Sequence, residues 1–160
     1  MRKKIYIIPG WKESPTYKIY RSLASIAQKK NYEVVFYDIN WNNKLSKQIF
    51  PINKNSIIFG FSLGAILALL ISQKYECRKL ILASMTPVRS FKEREMRKAL
   101  VDLLGKDLIN DITDNLKTKN KAVETIVMYG DKEGEPGDII ISKTGHRLNS
   151  RYIKKISELI

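Results

Sequence analysis

The feature that most constrains the fold is the run GFSLG at residues 60–64, which lies between two apolar stretches. Residues 55–59 have the composition of a buried strand, and residues 65–71 that of a buried helix. A serine at such a turn, here Ser62, takes a strained backbone conformation, and Cβ atoms at the flanking glycines would clash. The N-terminus of the helix directs backbone N–H groups towards negative charge near the serine. The run therefore predicts a strand-turn-helix that presents a nucleophile.

Two further features lie downstream of this turn in a suggestive order. His146 is the only histidine of the chain and follows a glycine close to the C-terminus. Before it, the strand-like residues 126–130 end at two carboxylates, Asp131 and Glu133. The chain order is therefore serine, acid, histidine. Histidine is the side chain whose ordinary pKa suits it to remove a proton from serine near neutral pH.

The turn, the ordered acid and the lone histidine together resemble the α/β-hydrolases. The resemblance spans nearly the whole chain, from the first strand and loop at residues 5–14 to the histidine loop. It implies a serine hydrolase that cleaves a carboxylic ester or thioester through an acyl-enzyme on Ser62, with His146 as general base. The chain departs from the family in being trimmed. The usual first two strands are missing, and Gly134, Pro136 and Gly137 disfavour the helix that usually lies between acid and histidine.

The identity of the acid stays open between two residues. In the family the acid commonly falls three residues after a strand-ending glycine, and counting from Gly130 leads to Glu133, which we favour slightly. Asp131 is the alternative, because it is closer to the strand end and aspartate is the commoner acid. Whichever residue is not the acid is expected to be a turn or solvated residue.

An oxyanion hole needs two N–H donors, and the resemblance implies which residues supply them. One is the backbone N–H of Leu63, directly after the nucleophile. The other comes from the loop after the first strand, where Trp11 N–H is the best candidate. The sequence leaves two interpretations of the Trp11 side chain open: it forms a wall of the acyl pocket, or it is an ordinary core aromatic.

Hydrophobic patterning predicts one α/β domain over residues 1–160, with a three-layer, doubly wound, mainly parallel six-stranded sheet. The resemblance implies that this domain is a trimmed α/β-hydrolase fold. Residues 87–121 occupy the position of the family's lid, but they are few and polar, so a shallow, open site is expected. The predicted strands are residues 4–8, 33–37, 56–59, 79–83, 125–129 and 138–141, and the predicted helices are residues 16–30, 41–50, 63–74, 91–104, 106–117 and 147–159.

The net charge of +13 allows several kinds of partner. The lysines are scattered and not interleaved with aromatic residues, so no specific nucleic-acid interface is predicted. A carrier-bound substrate on an acidic carrier protein, such as acyl carrier protein, is one hypothesis. The alternative to an enzyme is a non-catalytic protein of this fold that binds an acidic partner or nucleic acid through its basic surface. The oligomeric state stays open.

The remaining composition favours a cytoplasmic protein without a cofactor or metal site. The one cysteine, Cys77, has no partner for an internal disulfide and no metal-ligand spacing. No secretory signal is evident, because the apolar run after the basic N-terminus breaks at Pro9. Residues 57–71 are almost all apolar, but they are shorter than the roughly 20 residues that a membrane span needs.

Overall fold

Six parallel strands form one sheet in the computed structural model, which describes residues 3–160. The strand order is β2-β1-β3-β4-β5-β6, and all five neighbouring pairs are parallel. The chain reverses its direction of travel across the sheet after β2, which makes the sheet doubly wound, as predicted. The strands are β1 (Lys3–Ile8), β2 (Tyr32–Phe36), β3 (Ile57–Phe61), β4 (Cys77–Ala83), β5 (Ala122–Gly130) and β6 (Ile139–Ile141).

Helices cover both faces of the sheet and give the three predicted layers. Helices α1 and α5 bury Tyr20 and Tyr152 against one face, whereas α2 and α4 bury Leu67 and Ile109 against the other. Helix α3 has no fully buried residue and packs on α4 and on the 3₁₀ turn at Val88–Phe91. The helices are α1 (Lys18–Lys29), α2 (Leu63–Lys74), α3 (Arg94–Leu104), α4 (Lys106–Asn115) and α5 (Ser150–Leu159).

The alternation of side chains along each strand explains why the central strands are apolar throughout. In β1, Ile5 and Ile7 point into the cluster with α1 and α5, and Tyr6 and Ile8 into the cluster with α2 and α4. Helix α2 is buried at every position from 63 to 72, which explains why its sequence has no polar face. Among residues 3–160, no helix is long and apolar enough to cross a membrane.

The prediction of a helix over residues 41–50 is wrong. Only a 3₁₀ turn forms there, at Leu45–Gln48. The Gln48 side chain accepts from Asn40 N–H at 2.9 Å and donates to the Asn40 carbonyl oxygen at 2.8 Å, and Asn40 Oδ1 accepts from Asn42 N–H at 3.0 Å. These local bonds satisfy the backbone in a loop instead of a helix.

The last helix begins later than predicted, at Ser150 instead of residue 147. Asn149 is its N-cap, since the Asn149 side chain accepts from the N–H groups of Arg151 and Tyr152. Residues 142–149, including His146, therefore form a loop at the end of β6, here called the histidine loop.

Candidate active site

Ser62 lies at the turn between β3 and α2, at the carboxyl edge of the sheet. Its backbone angles, φ 56° and ψ −122°, are costly for a residue with a side chain, by about 1–3 kcal/mol. The two glycines make the turn possible. A Cβ atom on Gly60 would lie 2.6 Å from Ala65 Cα, and one on Gly64 would lie 2.1 Å from the carbonyl oxygen of Pro9.

A chain of two hydrogen bonds joins Ser62 to Glu133 through His146. Ser62 Oγ is 2.8 Å from His146 Nε2, and His146 Nδ1 is 2.8 Å from Glu133 Oε1. The Phe61 ring lies against the imidazole, with ring centroids 5.5 Å apart. The structure therefore brings together three of the residues that the sequence singled out, from the ends of β3, β5 and β6.

The protonation of Glu133 decides the direction of these bonds. Burial opposes ionisation of Glu133, but hydrogen bonds from Ser84, Gly130 N–H and His146 outweigh it and lower the pKa of this carboxyl. An ionised carboxylate only accepts hydrogen bonds. His146 Nδ1 therefore carries the proton, and Nε2 of the neutral imidazole accepts the hydrogen bond from Ser62 Oγ–H.

Two hydroxyl groups that sequence reasoning missed also contact Glu133. Glu133 Oε2 accepts from Ser84 Oγ at 2.7 Å and from Gly130 N–H at 2.7 Å, and Tyr152 Oη lies 3.1 Å from the same oxygen. Ser84 directly follows β4, at the same carboxyl edge of the sheet as Ser62.

Asp131 has a different set of partners. Its carboxylate accepts from Lys143 N–H at 2.7 Å and from Thr144 N–H at 2.9 Å, and these bonds lower the pKa of Asp131. Lys132 N–H also donates to the Thr144 carbonyl oxygen at 3.0 Å. Asp131 therefore fastens the histidine loop to the end of β5, and among residues 3–160 it is Glu133 whose carboxylate contacts the imidazole.

The loop after β1, residues 9–13, lies against the start of α2. Gly10 N–H donates to Glu13 Oε2 at 3.1 Å and to Tyr20 Oη at 3.2 Å, and the Tyr20 hydroxyl donates to the same Glu13 oxygen. The Trp11 side chain is partly buried against the cluster that contains α2. Leu63 is the first residue of α2, so its N–H has no partner within the helix. The assignment of Leu63 and Trp11 N–H to an oxyanion hole stays a prediction.

The site is open to solvent. The His146 side chain is 53% exposed, whereas the Glu133 side chain beneath it is 9% exposed. Beside His146 lies an open depression of about 380 Å³, whose walls include Met85, Pro87 and Tyr129. The Tyr129 hydroxyl donates to the Met85 carbonyl oxygen at 2.7 Å, which ties this wall to β5.

Solved structures share this architecture. A protein from Agrobacterium vitis S4 has a TM-score of 0.71 and 12% identity over 99% of this chain and 86% of that one. Alpha/beta hydrolase domain-containing protein 10 from mouse has a TM-score of 0.69 and 11% identity over 98% and 87%. Est1E from Butyrivibrio proteoclasticus has a TM-score of 0.68 and 10% identity over 99% and 84%. The chain has the α/β-hydrolase fold.

Neither the family models nor the curated proteins include a match to this sequence. In this α/β-hydrolase fold the carboxyl edge of the sheet carries Ser62, Glu133 and His146 on three separate loops. The part of the chain that the structure describes has no group of three or more His, Cys, Asp or Glu side chains placed to hold a metal ion. Cys77 is buried at the start of β4, at the opposite edge, and burial raises the pKa of its thiol to about 11.

Proposed function

We propose that this protein is a serine hydrolase that cleaves a carboxylic ester or thioester through an acyl-enzyme on Ser62. The observation that carries the proposal is the hydrogen-bond chain from Ser62 through His146 to an ionised Glu133, built on a turn with positive φ. The α/β-hydrolase fold supports the same conclusion, since its neighbours include a protein named as an alpha/beta hydrolase domain-containing protein.

In the first half of the reaction, Ser62 Oγ attacks the carbonyl carbon while its proton moves to His146 Nε2. The carbonyl electron pair moves onto the oxygen and returns when the tetrahedral intermediate collapses. The C–O or C–S bond to the leaving group then breaks, and the leaving oxygen or sulfur takes the proton from Nε2. The acyl group stays on Ser62, and Glu133 stays ionised throughout, stabilising the imidazolium.

In the second half, water gives a proton to Nε2 and attacks the acyl carbon. Collapse of the second tetrahedral intermediate releases the carboxylic acid and returns the proton to Ser62 Oγ. In both halves the developing oxyanion needs two N–H donors, for which we propose Leu63 and Trp11. The start of α2 adds a favourable dipole at the same place.

The test is labelling of the pure protein with a fluorophosphonate, which phosphonylates an activated serine. We expect the wild type to be labelled, and Ser62→Ala and His146→Ala to lose labelling while keeping nearly the wild-type melting temperature. Ser22→Ala is the matched control, because Ser22 is an exposed serine of α1 whose hydroxyl donates to the Lys18 carbonyl oxygen at 2.9 Å. A folded wild-type protein that is not labelled would refute the hydrolase proposal and favour a binding protein that uses the basic surface.

A carrier-bound substrate is the second part of the proposal. The site is open, and Lys12, Lys132 and Arg147 are exposed and adjacent in sequence to Trp11, Glu133 and His146. An acidic carrier docked on these cations would be released by salt, since the Debye length falls to about 3 Å at 1 M ionic strength. We expect salt to slow turnover of a thioester on acyl carrier protein far more than turnover of a small neutral ester. Equal salt effects on both substrates would exclude the carrier.

A further inference from the structure

Two buried hydroxyl groups meet beneath the active site. Ser84 directly follows β4 and Tyr152 lies in the first turn of α5, and both side chains are fully buried. Ser84 Oγ is 2.7 Å from Tyr152 Oη, and both atoms are within hydrogen-bond distance of Glu133 Oε2. Burying two hydroxyls and a carboxylate together is costly unless each is satisfied by hydrogen bonds.

The two carboxylate oxygens of Glu133 have different hydrogen-bond partners. Oε1 accepts from His146 Nδ1 at 2.8 Å, while Oε2 accepts from Gly130 N–H and lies within hydrogen-bond distance of both hydroxyls. These contacts come from β4, β5 and α5, so they fix the orientation of the carboxylate plane. Oε1 then faces the imidazole, and His146 Nδ1 is its hydrogen-bond partner among the described residues.

The hydroxyl protons are too few for all three contacts in this cluster. Ser84 and Tyr152 have one hydroxyl proton each, and the ionised carboxylate has none. The two short contacts, both 2.7 Å, are Tyr152 to Ser84 and Ser84 to Glu133, whereas Tyr152 to Glu133 is 3.1 Å. The distances therefore favour donation in series, from Tyr152 to Ser84 and from Ser84 to Glu133. Each bond in such a chain strengthens the next.

The backbone holds both hydroxyls in place. Ser84 has φ 46°, and its N–H donates to the Met128 carbonyl oxygen at 2.8 Å, so β5 fixes this strained residue. The Tyr152 ring meets Phe61 edge-on at 6.5 Å, and Phe61 also lies against the imidazole. Burial raises the pKa of Tyr152, which keeps its hydroxyl a neutral donor.

We propose that Ser84 and Tyr152 are positioning residues, which act in series to hold the Glu133 carboxylate against His146 and so select the imidazole tautomer with a proton on Nδ1. The consequence for turnover rests on the proposed hydrolase function. The consequence for the tautomer does not, because it is a property of the resting protein.

The experiment compares Ser84→Ala, Tyr152→Phe and the double variant with two matched controls. Ser72→Ala removes a fully buried hydroxyl that bonds to the Leu69 carbonyl oxygen, and Tyr37→Phe removes a hydroxyl that bonds to the Gln48 carbonyl oxygen. The first readout is the ¹⁵N chemical shift of each imidazole nitrogen, which reports the tautomer. His146 is the only histidine, so its signals need no assignment. The second readout is kcat and KM on an ester that the wild type cleaves.

We expect Ser84→Ala to raise the Nε2–H tautomer and to lower kcat about ten- to hundredfold, with KM unchanged, because a hydrogen bond to a charged group is lost. Tyr152→Phe should do the same to a smaller extent. Donation in series predicts that the double variant loses less than the product of the two single effects. Both controls should keep the wild-type tautomer and kcat.

The outcomes separate this inference from the hydrolase proposal. If the wild type is labelled by the fluorophosphonate but both single variants keep its tautomer and kcat, the positioning role is wrong and the hydrolase proposal stands. If the wild type has no serine reactivity, the hydrolase proposal fails, and a changed tautomer in the variants still supports the positioning role. If Ser84→Ala does not fold, Tyr152→Phe decides the matter, since it keeps the buried ring and removes only the hydroxyl.

Discussion

Gly64 of α2 lies directly against Pro9 of the loop after β1, so close that a Cβ atom at residue 64 would be 2.1 Å from the Pro9 carbonyl oxygen. The same Cβ would be 2.6 Å from the Ile8 carbonyl oxygen. The turn that carries Ser62 and the loop that carries Trp11 are therefore in backbone contact. A change in one of them must move the other, and both flank the space where an oxyanion would form.

Gly64→Ala tests this contact. Because both obstructing atoms belong to the backbone, we expect a loss of about 2 kcal/mol or more in the free energy of unfolding, with a fall in melting temperature of about 4–8 °C. We also expect turnover to fall, since the displaced loop carries Trp11. Gly145→Ala is the control, because a Cβ there would meet nothing nearer than Lys132 Cβ at 4.0 Å. Equal melting temperatures for the two variants would contradict the close contact between Gly64 and Pro9.

The two candidate acids predict different losses. Glu133→Gln keeps the size of the side chain, but it removes the charge that orients His146, and we expect kcat to fall by roughly 10³–10⁴-fold. Asp131→Asn leaves the Glu133–His146 bond in place and weakens only the attachment of the histidine loop, so a fall of less than about tenfold is expected. Steady-state kinetics of both variants on one ester measures the contrast. The reverse order of effects would make Asp131 the acid.

Acid stability should also depend on Glu133. Its pKa is lower in the folded protein than the ordinary value of 4.5, so ionised Glu133 stabilises the fold above that value. The contribution is lost as the pH falls through the lower, folded pKa. We therefore expect the difference in unfolding free energy between wild type and Glu133→Gln to shrink as the pH falls below the ordinary Glu value of 4.5. Urea unfolding across this range measures it, and a difference that grows on acidification would mean that the folded pKa is raised.

Sequence reasoning succeeded where the hydrophobic pattern alone decides the structure. Helix α2 has the predicted bounds of residues 63–74, because a glycine-flanked turn begins it and an unbroken apolar run continues it. The pattern also located the six strands, although β5 begins three residues earlier than predicted, at Ala122. Such patterns indicate which residues are buried. Because both faces of a parallel sheet are buried, the apolar strands predicted helices on both faces and therefore three layers.

The supporting contacts of the site could not be predicted in the same way. Ser84 and Tyr152 reach Glu133 because β4, β5 and α5 meet at one point, and their separations in the chain carry no sign of that. Asp131 and Glu133 both follow β5 closely, and only the 3₁₀ turn at Asp131–Glu133 directs one towards the imidazole and the other towards the histidine loop. The helix predicted over residues 41–50 failed because local side-chain bonds outweighed its weak pattern.

Glu13 is a second carboxylate on which activity should depend, although none of its hydrogen bonds within residues 3–160 is to Ser62, His146 or Glu133. It accepts from Gly10 N–H and from the buried Tyr20 hydroxyl, and so holds the loop that carries Trp11. Burial and the bond to Glu13 raise the pKa of Tyr20, which keeps this hydroxyl a donor.

We expect Glu13→Ala to lower kcat by up to about 100-fold, because small displacements of groups that bind the transition state are costly. Glu33→Ala is the control, since it removes only a surface ion pair with Lys4. Steady-state kinetics of both variants tests this prediction, and labelling at Ser62 checks that the nucleophile is intact. Equal kcat values for the two variants would mean that the loop keeps its position without Glu13.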